Sequence, residues 1–211
     1  MNRGTIATMV RTLLGTAEDD PAFSGTILNP LIQSAYDSLV ADIHDANPHY
    51  LSTSVTLAAD SASSHVYTFA TQSSPVTDFA KWLEVRWTDE EGRLLDEVRL
   101  EELAAYGGDA FALSGVDESV VLRTATTDTA GEAIWFRYAY WPTAFTEDSS
   151  TPSGIPARYH DVVALETLFV FALGGEQARP RELRDRWQDR RNQLMARVGR
   201  RGVQNSLSRV V

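Results

Sequence analysis

The sequence contains no cysteine among its 211 residues. A disulfide framework and thiolate-based metal or redox sites are therefore excluded. The longest apolar run, residues 162–175, contains Glu166 and is too short to span a bilayer. Arg11 interrupts the apolar stretch that a signal peptide would need near the N-terminus. We therefore expect a soluble intracellular protein that does not associate with membranes.

The common catalytic motifs are also missing: the sequence has no GxxxxGK[ST], GxGxxG, HExxH or GxSxG pattern. His44 and His49 lie near Asp42 and could form a metal site, but no third ligand follows at a matched spacing. His160 in "YHD" could act as an acid or base, but the sequence offers no nucleophile beside it. We therefore expect no enzymatic activity, no cofactor and no metal, with a His160 or His44/His49 enzyme as the weaker hypothesis.

Helical periodicity appears at both ends of the chain. Residues 5–14 form a first helix, and Asn29-Pro30 is typical of the start of a second, which Asn47-Pro48 ends. The segment from Pro156 to Leu173 is apolar nearly all round, which indicates an enclosed third helix. Pro180 is typical of the start of a last helix.

Between about Tyr50 and Thr143 the sequence changes to short β-branched and aromatic segments with a period of two. We predict an α+β fold, in which a bundle of about four helices carries a β-rich insertion between the second and third long helices. An extended C-terminal tail follows. The predicted divisions are an N-terminal helical pair (1–48), a β-rich lobe (49–147), C-terminal helices that pack on the first pair (148–198) and a flexible tail (199–211).

Charge is distributed unevenly along the chain. Residues 1–178 carry 9 basic and 26 acidic residues (−17), whereas residues 179–211 carry 10 basic and 3 acidic residues (+7). Only one of the basic residues, Lys81, is a lysine. This asymmetry indicates that the C-terminal segment has a partner of its own.

The last helix has an apolar stripe when residues 180–198 are projected at about 100° per residue. Leu183, Trp187, Leu194 and Val198 form this stripe. Arginines flank it, and three acids occupy the remaining sector. This geometry favours docking onto protein, with arginine heads that reach carboxylates of a partner. The alternative is a nucleic-acid-binding protein that acts through this arginine-rich helix, although a helix built for phosphates would not need three acids.

The aromatic strand "IWFRYAYW" has two alternating faces. Its even-numbered residues, from Ile134 to Tyr140, form a regular inward face, which favours a β core over a surface for stacking bases. Trp135, Arg137 and Trp141 lie on the other face and are candidates for a subunit or tail contact.

Several segments taken together resemble the head-to-tail adaptor (connector, or head-completion) proteins of tailed bacteriophages. The likeness is carried by "TIATMVRTLLGTAEDDPAFSGTILNPLIQSAYDSL", "WLEVRWTDEEGRLLDEVRLEEL", "IWFRYAYWPTAF" and "GIPARYHDVVALETLFVFAL", followed by an arginine-rich helix. It covers nearly the whole chain and depends on the order of elements rather than on a diagnostic signature.

The resemblance implies a structural virion protein with no catalytic residues. Such adaptors form a ring, usually twelve-fold, beneath the portal, extend the DNA channel and offer an attachment surface to the tail or a stopper. The chain would then be found in the neck of the virion, and in the host cytoplasm during assembly. Duplex DNA would pass through the ring without sequence-specific contacts, and an acidic wall suits that passage because it repels phosphate. The implied portal-binding residues are Arg181, Arg184, Trp187, Arg190, Arg191, Leu194, Arg197, Arg200 and Arg201.

Overall fold

The structure is a computed structural model that describes residues 1–62, 65–88, 92–115, 118–123, 132–172 and 181–207. The chain divides into two compact units. The helical unit comprises Met1–Leu51 and Pro142–Val211, and the β unit comprises Ser52–Trp141. The helical unit is thus built from both ends of the chain, and the β unit is one continuous segment within the predicted insertion of 49–147.

The described ranges contain five α-helices and seven β-strands. The helices are α1 (Arg3–Leu14), α2 (Gly25–Ala46), α3 (Leu100–Leu103), α4 (His160–Glu166) and α5 (Arg181–Leu207). The strands are β1 (Ser52–Leu57), β2 (Val66–Thr68), β3 (Phe79–Trp87), β4 (Asp96–Glu97), β5 (Ala110–Ser114), β6 (Ser119–Arg123) and β7 (Ile134–Tyr140).

Helix α1 has a capping residue at each end. The side-chain oxygen of Asn2 accepts hydrogen bonds from the Thr5 amide at 2.9 Å and from the Thr5 hydroxyl at 2.7 Å. Gly15 ends the helix in the left-handed conformation, with φ at 71°, which glycine adopts without strain. Ile6 and Val10 on one face of the helix are fully buried, so α1 contributes its apolar stripe to the core of the helical unit.

The predicted long helix from Pro156 to Leu173 is not a single regular helix. A 3₁₀ turn covers Ala157–Tyr159, α4 has only seven residues, and a π-helical segment follows at Thr167–Ala172. The Thr167 hydroxyl donates a 2.7 Å hydrogen bond to the Val163 carbonyl one turn earlier. Bonding of this kind competes with the regular ladder of backbone hydrogen bonds and disturbs the helix at that point.

The protein is an α+β structure, but the predicted bundle of about four helices is wrong. One of the five helices, α3, belongs to the β unit, and α4 is a short piece in an irregular helical segment. The extended tail is also not observed over most of its predicted length, because α5 continues to Leu207. A glycine inside a helix costs only about 1 kcal/mol relative to alanine, so Gly199 did not end α5. Residues 208–211 lie outside the described residues.

The β unit contains two sheets, with strand orders β1-β7-β3 and β2-β6-β5-β4. The strand pairs are antiparallel except for β4 and β5, which run parallel. Ile134 lies opposite Leu57 and Trp87, and Phe136 lies opposite Val55 and Val85. Inward side chains of both sheets form one apolar core. Trp135 and Arg137 alternate with these residues and therefore lie on the opposite face of the first sheet.

Candidate partner-binding surfaces

One face of α5 packs against the rest of the helical unit. Leu194 and Val198 are fully buried. Trp187 is half-buried and lies against Phe169 of the π-helical segment, with 5.6 Å between the ring centres. The apolar stripe found in the sequence is therefore occupied within the chain itself. Trp187 and Leu194, two of the predicted portal-binding residues, hold α5 in place instead of lying open at the surface.

A buried carboxylate fixes the position of Trp187. The indole N–H of Trp187 donates a 2.8 Å hydrogen bond to Oε2 of Glu166, whose side chain is 3% exposed. The Arg191 Nε atom lies 3.8 Å from the same oxygen, and Arg191 also forms a 2.5 Å ion pair with Asp42 of α2. Burial raises the pKa of Glu166, while the Trp187 hydrogen bond and the Arg191 charge lower it and Asp42 raises it further. The net effect is a raised pKa, since removal from water outweighs the favourable contacts.

This raised pKa predicts a specific pH dependence. The folded chain binds the Glu166 proton more tightly than the unfolded chain does, so the free energy of unfolding falls as the pH rises from the ordinary glutamate range through the raised pKa. Glu166→Gln keeps an oxygen that accepts from Trp187 but has no proton to lose. We expect the variant to lack the part of the decrease in the free energy of unfolding that comes from Glu166. Urea unfolding measured from about pH 4 to about pH 8 tests this.

Glu182→Gln is the matched control for this measurement. Glu182 is an exposed acid of α5, and its replacement should leave the pH profile close to that of the wild type. Identical profiles for the wild type and Glu166→Gln would show that Glu166 does not titrate differently in the folded protein.

A second ion pair anchors the middle of α5. Arg190 forms two parallel hydrogen bonds with Asp161, at 2.9 Å from Nε to Oδ2 and at 2.6 Å from Nη2 to Oδ1. Its guanidinium also donates to the Arg158 carbonyl and lies 5.2 Å from the centre of the Tyr159 ring. Arg190 and Arg191 are thus both engaged with carboxylates of their own unit. The arginines were evident in the sequence, but their partners Asp42, Asp161 and Glu166 were not, because a local pattern does not show which helices become neighbours.

The remaining predicted arginines of α5 have a different environment. Arg184 and Arg200 are exposed and Arg197 is half-buried, and none of the three forms an ion pair with the part of the chain that the structure describes. The side chains of Arg181 and Arg201 lie outside the described residues. The exposed charges of α5 between 182 and 200 are those of Glu182, Arg184, Asp185, Arg186, Asp189 and Arg200. This mixture of both signs suits a protein partner better than a phosphate backbone.

The second candidate surface is the outer face of the sheet β1-β7-β3. Trp135 lies opposite Thr56 and Arg86 in the two neighbouring strands and is half-buried. The guanidinium of Arg137 donates a 3.1 Å hydrogen bond to the Ser52 hydroxyl. Trp141 comes directly after β7 and is 43% exposed. The sheet therefore brings Trp135 and Arg137 to one face, with Trp141 beyond the end of the same strand.

His160 is a buried residue of the helical unit. Its side chain is 5% exposed, with Nε2 at 2.8 Å from the Ile155 carbonyl and Nδ1 at 3.0 Å from the terminal nitrogen of Met1. Both ring nitrogens thus have protein partners. In the described ranges, no three metal-ligating side chains lie together as a metal-binding group, so His44 and His49 gain no third ligand there.

No family model matches the chain, and none of the curated proteins compared with it is a significant match. The resemblance to head-to-tail adaptors therefore stays a prediction that depends on the order of the elements. Within the residues that the structure describes, no helix has the length and apolar character that crossing a membrane requires.

Proposed function

We propose that the chain is a structural head-to-tail adaptor of a tailed bacteriophage. In this proposal it forms a ring beneath the portal, extends the DNA channel and offers an attachment surface to the tail or a stopper. The observation that supports the proposal most is the way in which α5 distributes its side chains. This helix has 27 residues and is therefore about 40 Å long. Trp187, Leu194 and Val198 anchor one side of it, while arginines remain on the other.

The arrangement of α5 divides the predicted portal-binding residues into two groups. Trp187, Arg190, Arg191 and Leu194 hold the helix on its own unit and act by positioning it. Arg184, Arg197 and Arg200 are the residues that reach portal carboxylates, and Arg181 and Arg201 join them on the basis of the sequence. Trp135, Arg137 and Trp141 form the proposed contact with a neighbouring subunit or with the tail.

The charge distribution supports an adaptor more than a nucleic-acid-binding protein. Residues 1–178 carry a net charge of −17, and an acidic wall lets duplex DNA slide because it repels phosphate. The exposed face of α5 carries three arginines and three acids between 182 and 200, so it is close to neutral. A phosphate-binding helix would present an excess of basic residues on that face. In the proposal, DNA passes through the ring without sequence-specific contacts, and the chain resides in the neck of the virion.

The test is binding to the portal protein of the same virus, measured by native mass spectrometry and by electron microscopy of the mixture. The wild-type chain should form a ring on the portal. Arg184→Glu together with Arg200→Glu should weaken that binding at least about tenfold, because loss of one partner from a charge pair that is buried and hydrogen-bonded in an interface costs about 2–5 kcal/mol. Both side chains are exposed, so the variant should keep its fold. Deletion of α5 would be a poor test, since it would also remove the buried Leu194 and Val198 from the core.

Lys81→Glu serves as the control, because it reverses an exposed charge of the β unit instead of α5. Unchanged portal binding by the double arginine variant would exclude the exposed arginines of α5 as the docking residues. Failure of the wild-type chain to bind the portal would contradict the adaptor function. Tight binding of duplex DNA that weakens steeply with salt would favour the alternative function.

A further inference from the structure

The two sheets of the β unit end in the strands β1, β3, β2 and β4, and three of these four edges are protected against pairing with another chain. The Trp87 amide donates a 3.0 Å hydrogen bond to the Arg93 carbonyl, so the segment after β3 covers part of that edge. At the outer edge of β2, the Val66 carbonyl accepts a 2.9 Å hydrogen bond from the Asp60 amide. Strand β4 has only two residues, and both are exposed acids. Covering segments, short length and charge are devices that keep sheet edges from pairing with other chains.

Strand β1 forms the fourth edge and has none of these protective features. It has six residues and pairs with β7 without a register shift, so no bulge twists it away. The sequence from Tyr50 to Ala59 contains no charged residue, no proline and no glycine. Outside the ladder with β7, no backbone hydrogen bond involves residues 53–57 within the described ranges. The outer edge of β1 therefore presents an unprotected row of backbone donors and acceptors.

The side chains of β1 leave this edge accessible. Thr53, Ser54 and Thr56 are exposed, and Val55 is half-buried. Val55 packs against the apolar core between the two sheets, so a strand added at this edge would cover the part of its side chain that now faces water. Threonine and valine also favour strands. An edge of this kind binds an extended segment by continuing the ladder of backbone hydrogen bonds.

We propose that the outer edge of β1 pairs in antiparallel orientation with β1 of a second copy of the chain, with Val55 of one copy opposite Val55 of the other. The two three-stranded sheets then become one sheet of six strands. The same patch of both copies forms this contact, so it has two-fold symmetry and cannot repeat from copy to copy around a ring. It therefore belongs to the free chain before assembly. The inference goes beyond the proposed function and does not depend on it.

The sequence of β1 supports a second β1 as the occupant. Opposite residues of an antiparallel pair lie on the same face of the sheet. A register centred on Val55 therefore places Thr53 opposite Leu57 on the inner face. On the outer face, it places Ser54 opposite Thr56. Pairs of β-branched side chains and of hydroxyl side chains stabilise neighbouring antiparallel strands, and the uncharged β1 brings no like charges together.

Disulfide trapping tests this register, because the chain has no cysteine of its own. Ser54→Cys and Thr56→Cys change exposed positions, so both variants should fold. An equal mixture of the two variants should give linked dimers on a non-reducing gel after mild oxidation, since the two cysteines then lie opposite each other. Each variant alone should give roughly tenfold less, because its cysteines lie diagonally, about 7–8 Å apart, too far for a disulfide. Linkage of Ser54→Cys alone as strong as that of the mixture would overturn the register.

Ser74→Cys mixed with Ser54→Cys is the matched control, since Ser74 is also an exposed serine of the β unit but lies outside β1. As much linkage from this pair would indicate random collisions and overturn the assignment of β1. The trapping is repeated with the portal protein present. Linkage of Ser54→Cys to the portal instead of to a second copy would assign the edge to a different partner and overturn the proposal.

Native mass spectrometry of the chain without the portal protein measures the dimer itself. The wild type should form a dimer, and Ser54→Lys with Thr56→Lys should weaken it at least about tenfold, because like charges then lie opposite each other at two places. Ser54→Lys with Thr56→Glu should keep the dimer, since opposite charges then face each other. Near-ultraviolet circular dichroism confirms that both variants are folded. A wild-type chain that stays monomeric throughout a concentration series overturns the proposal, whether or not the chain forms a ring on the portal.

Discussion

Replacing Trp187 with alanine is expected to lower the free energy of unfolding of the helical unit by about 3–5 kcal/mol. The indole ring packs on Phe169 and belongs to a cluster with Leu165, Leu168 and Leu183. Its removal also leaves the buried Glu166 oxygen without its hydrogen-bond donor, and an unsatisfied buried polar group adds to the cost. Urea unfolding of the variant and the wild type, followed by far-ultraviolet circular dichroism, measures the difference.

Two further variants separate the packing contribution from the hydrogen bond. Trp187→Phe keeps an aromatic ring against Phe169 but has no N–H for Glu166, so we expect a smaller loss of about 1–3 kcal/mol. Gln188→Ala removes an exposed neighbour on the same helix and should change the stability by less than about 0.5 kcal/mol. A Trp187→Ala variant as stable as Gln188→Ala would show that α5 does not depend on this anchor.

The same variant distinguishes a positioning role from a direct contact in the portal binding that we propose. Since Trp187 holds α5 on its own unit, its loss should weaken portal binding together with the hydrogen-exchange protection of α5. Arg184→Glu with Arg200→Glu should weaken binding while that protection stays unchanged. The two variants should differ in this way because Trp187 packs within the helical unit, whereas Arg184 and Arg200 are exposed.

The apolar stripe of α5 was visible in the sequence because buried side chains on a helix recur with a period near 3.6. The pattern did not tell whether the stripe would pack within the chain or against a partner, because both kinds of packing need the same side chains. The sequence also did not tell whether the arginines beside the stripe would contact carboxylates of the same chain or of a partner. Arg190 and Arg191 have intramolecular carboxylate partners, whereas Arg184 has none among the described residues, and no spacing rule separates these cases.

Strands such as β7 could be predicted because alternation with a period of two is a local property. Ile134, Phe136 and Tyr138 are all buried, as their positions indicated. The order of the strands within two sheets could not be predicted, since it depends on contacts between segments distant in sequence.

The start of α2 and the irregular helix before α5 were not predicted correctly from the sequence. Asn29-Pro30 indicated a helix start, but α2 begins at Gly25 and Pro30 lies inside it. Leu28, which precedes the proline, is fully buried, and burial of this kind offsets the lost backbone hydrogen bond. The irregular helix between Ala157 and Ala172 involves the hydroxyl of Thr167, whose effect no apolar pattern reports.

Phe136→Ala is the second substitution with a large expected effect, a loss of about 3–5 kcal/mol from the free energy of unfolding of the β unit. Phe136 is fully buried and lies within 5.3–5.9 Å of the rings of Phe69, Phe79 and Tyr138, measured between ring centres. Its removal leaves a cavity that these rings, which approach it from different elements, cannot fill without repacking. Urea unfolding followed by near-ultraviolet circular dichroism reports this loss through the aromatic side chains.

Trp135→Ala is the matched control, because the neighbouring side chain on β7 points to the opposite face of the sheet. We expect it to cost only about 1 kcal/mol, since it changes a half-buried surface position of a strand. The β unit then keeps its fold, and any weakening of ring formation by this variant is due to the lost surface. A cost as large as that of Phe136→Ala would place Trp135 in a packed core, and it could then not serve as the proposed contact with another subunit or with the tail.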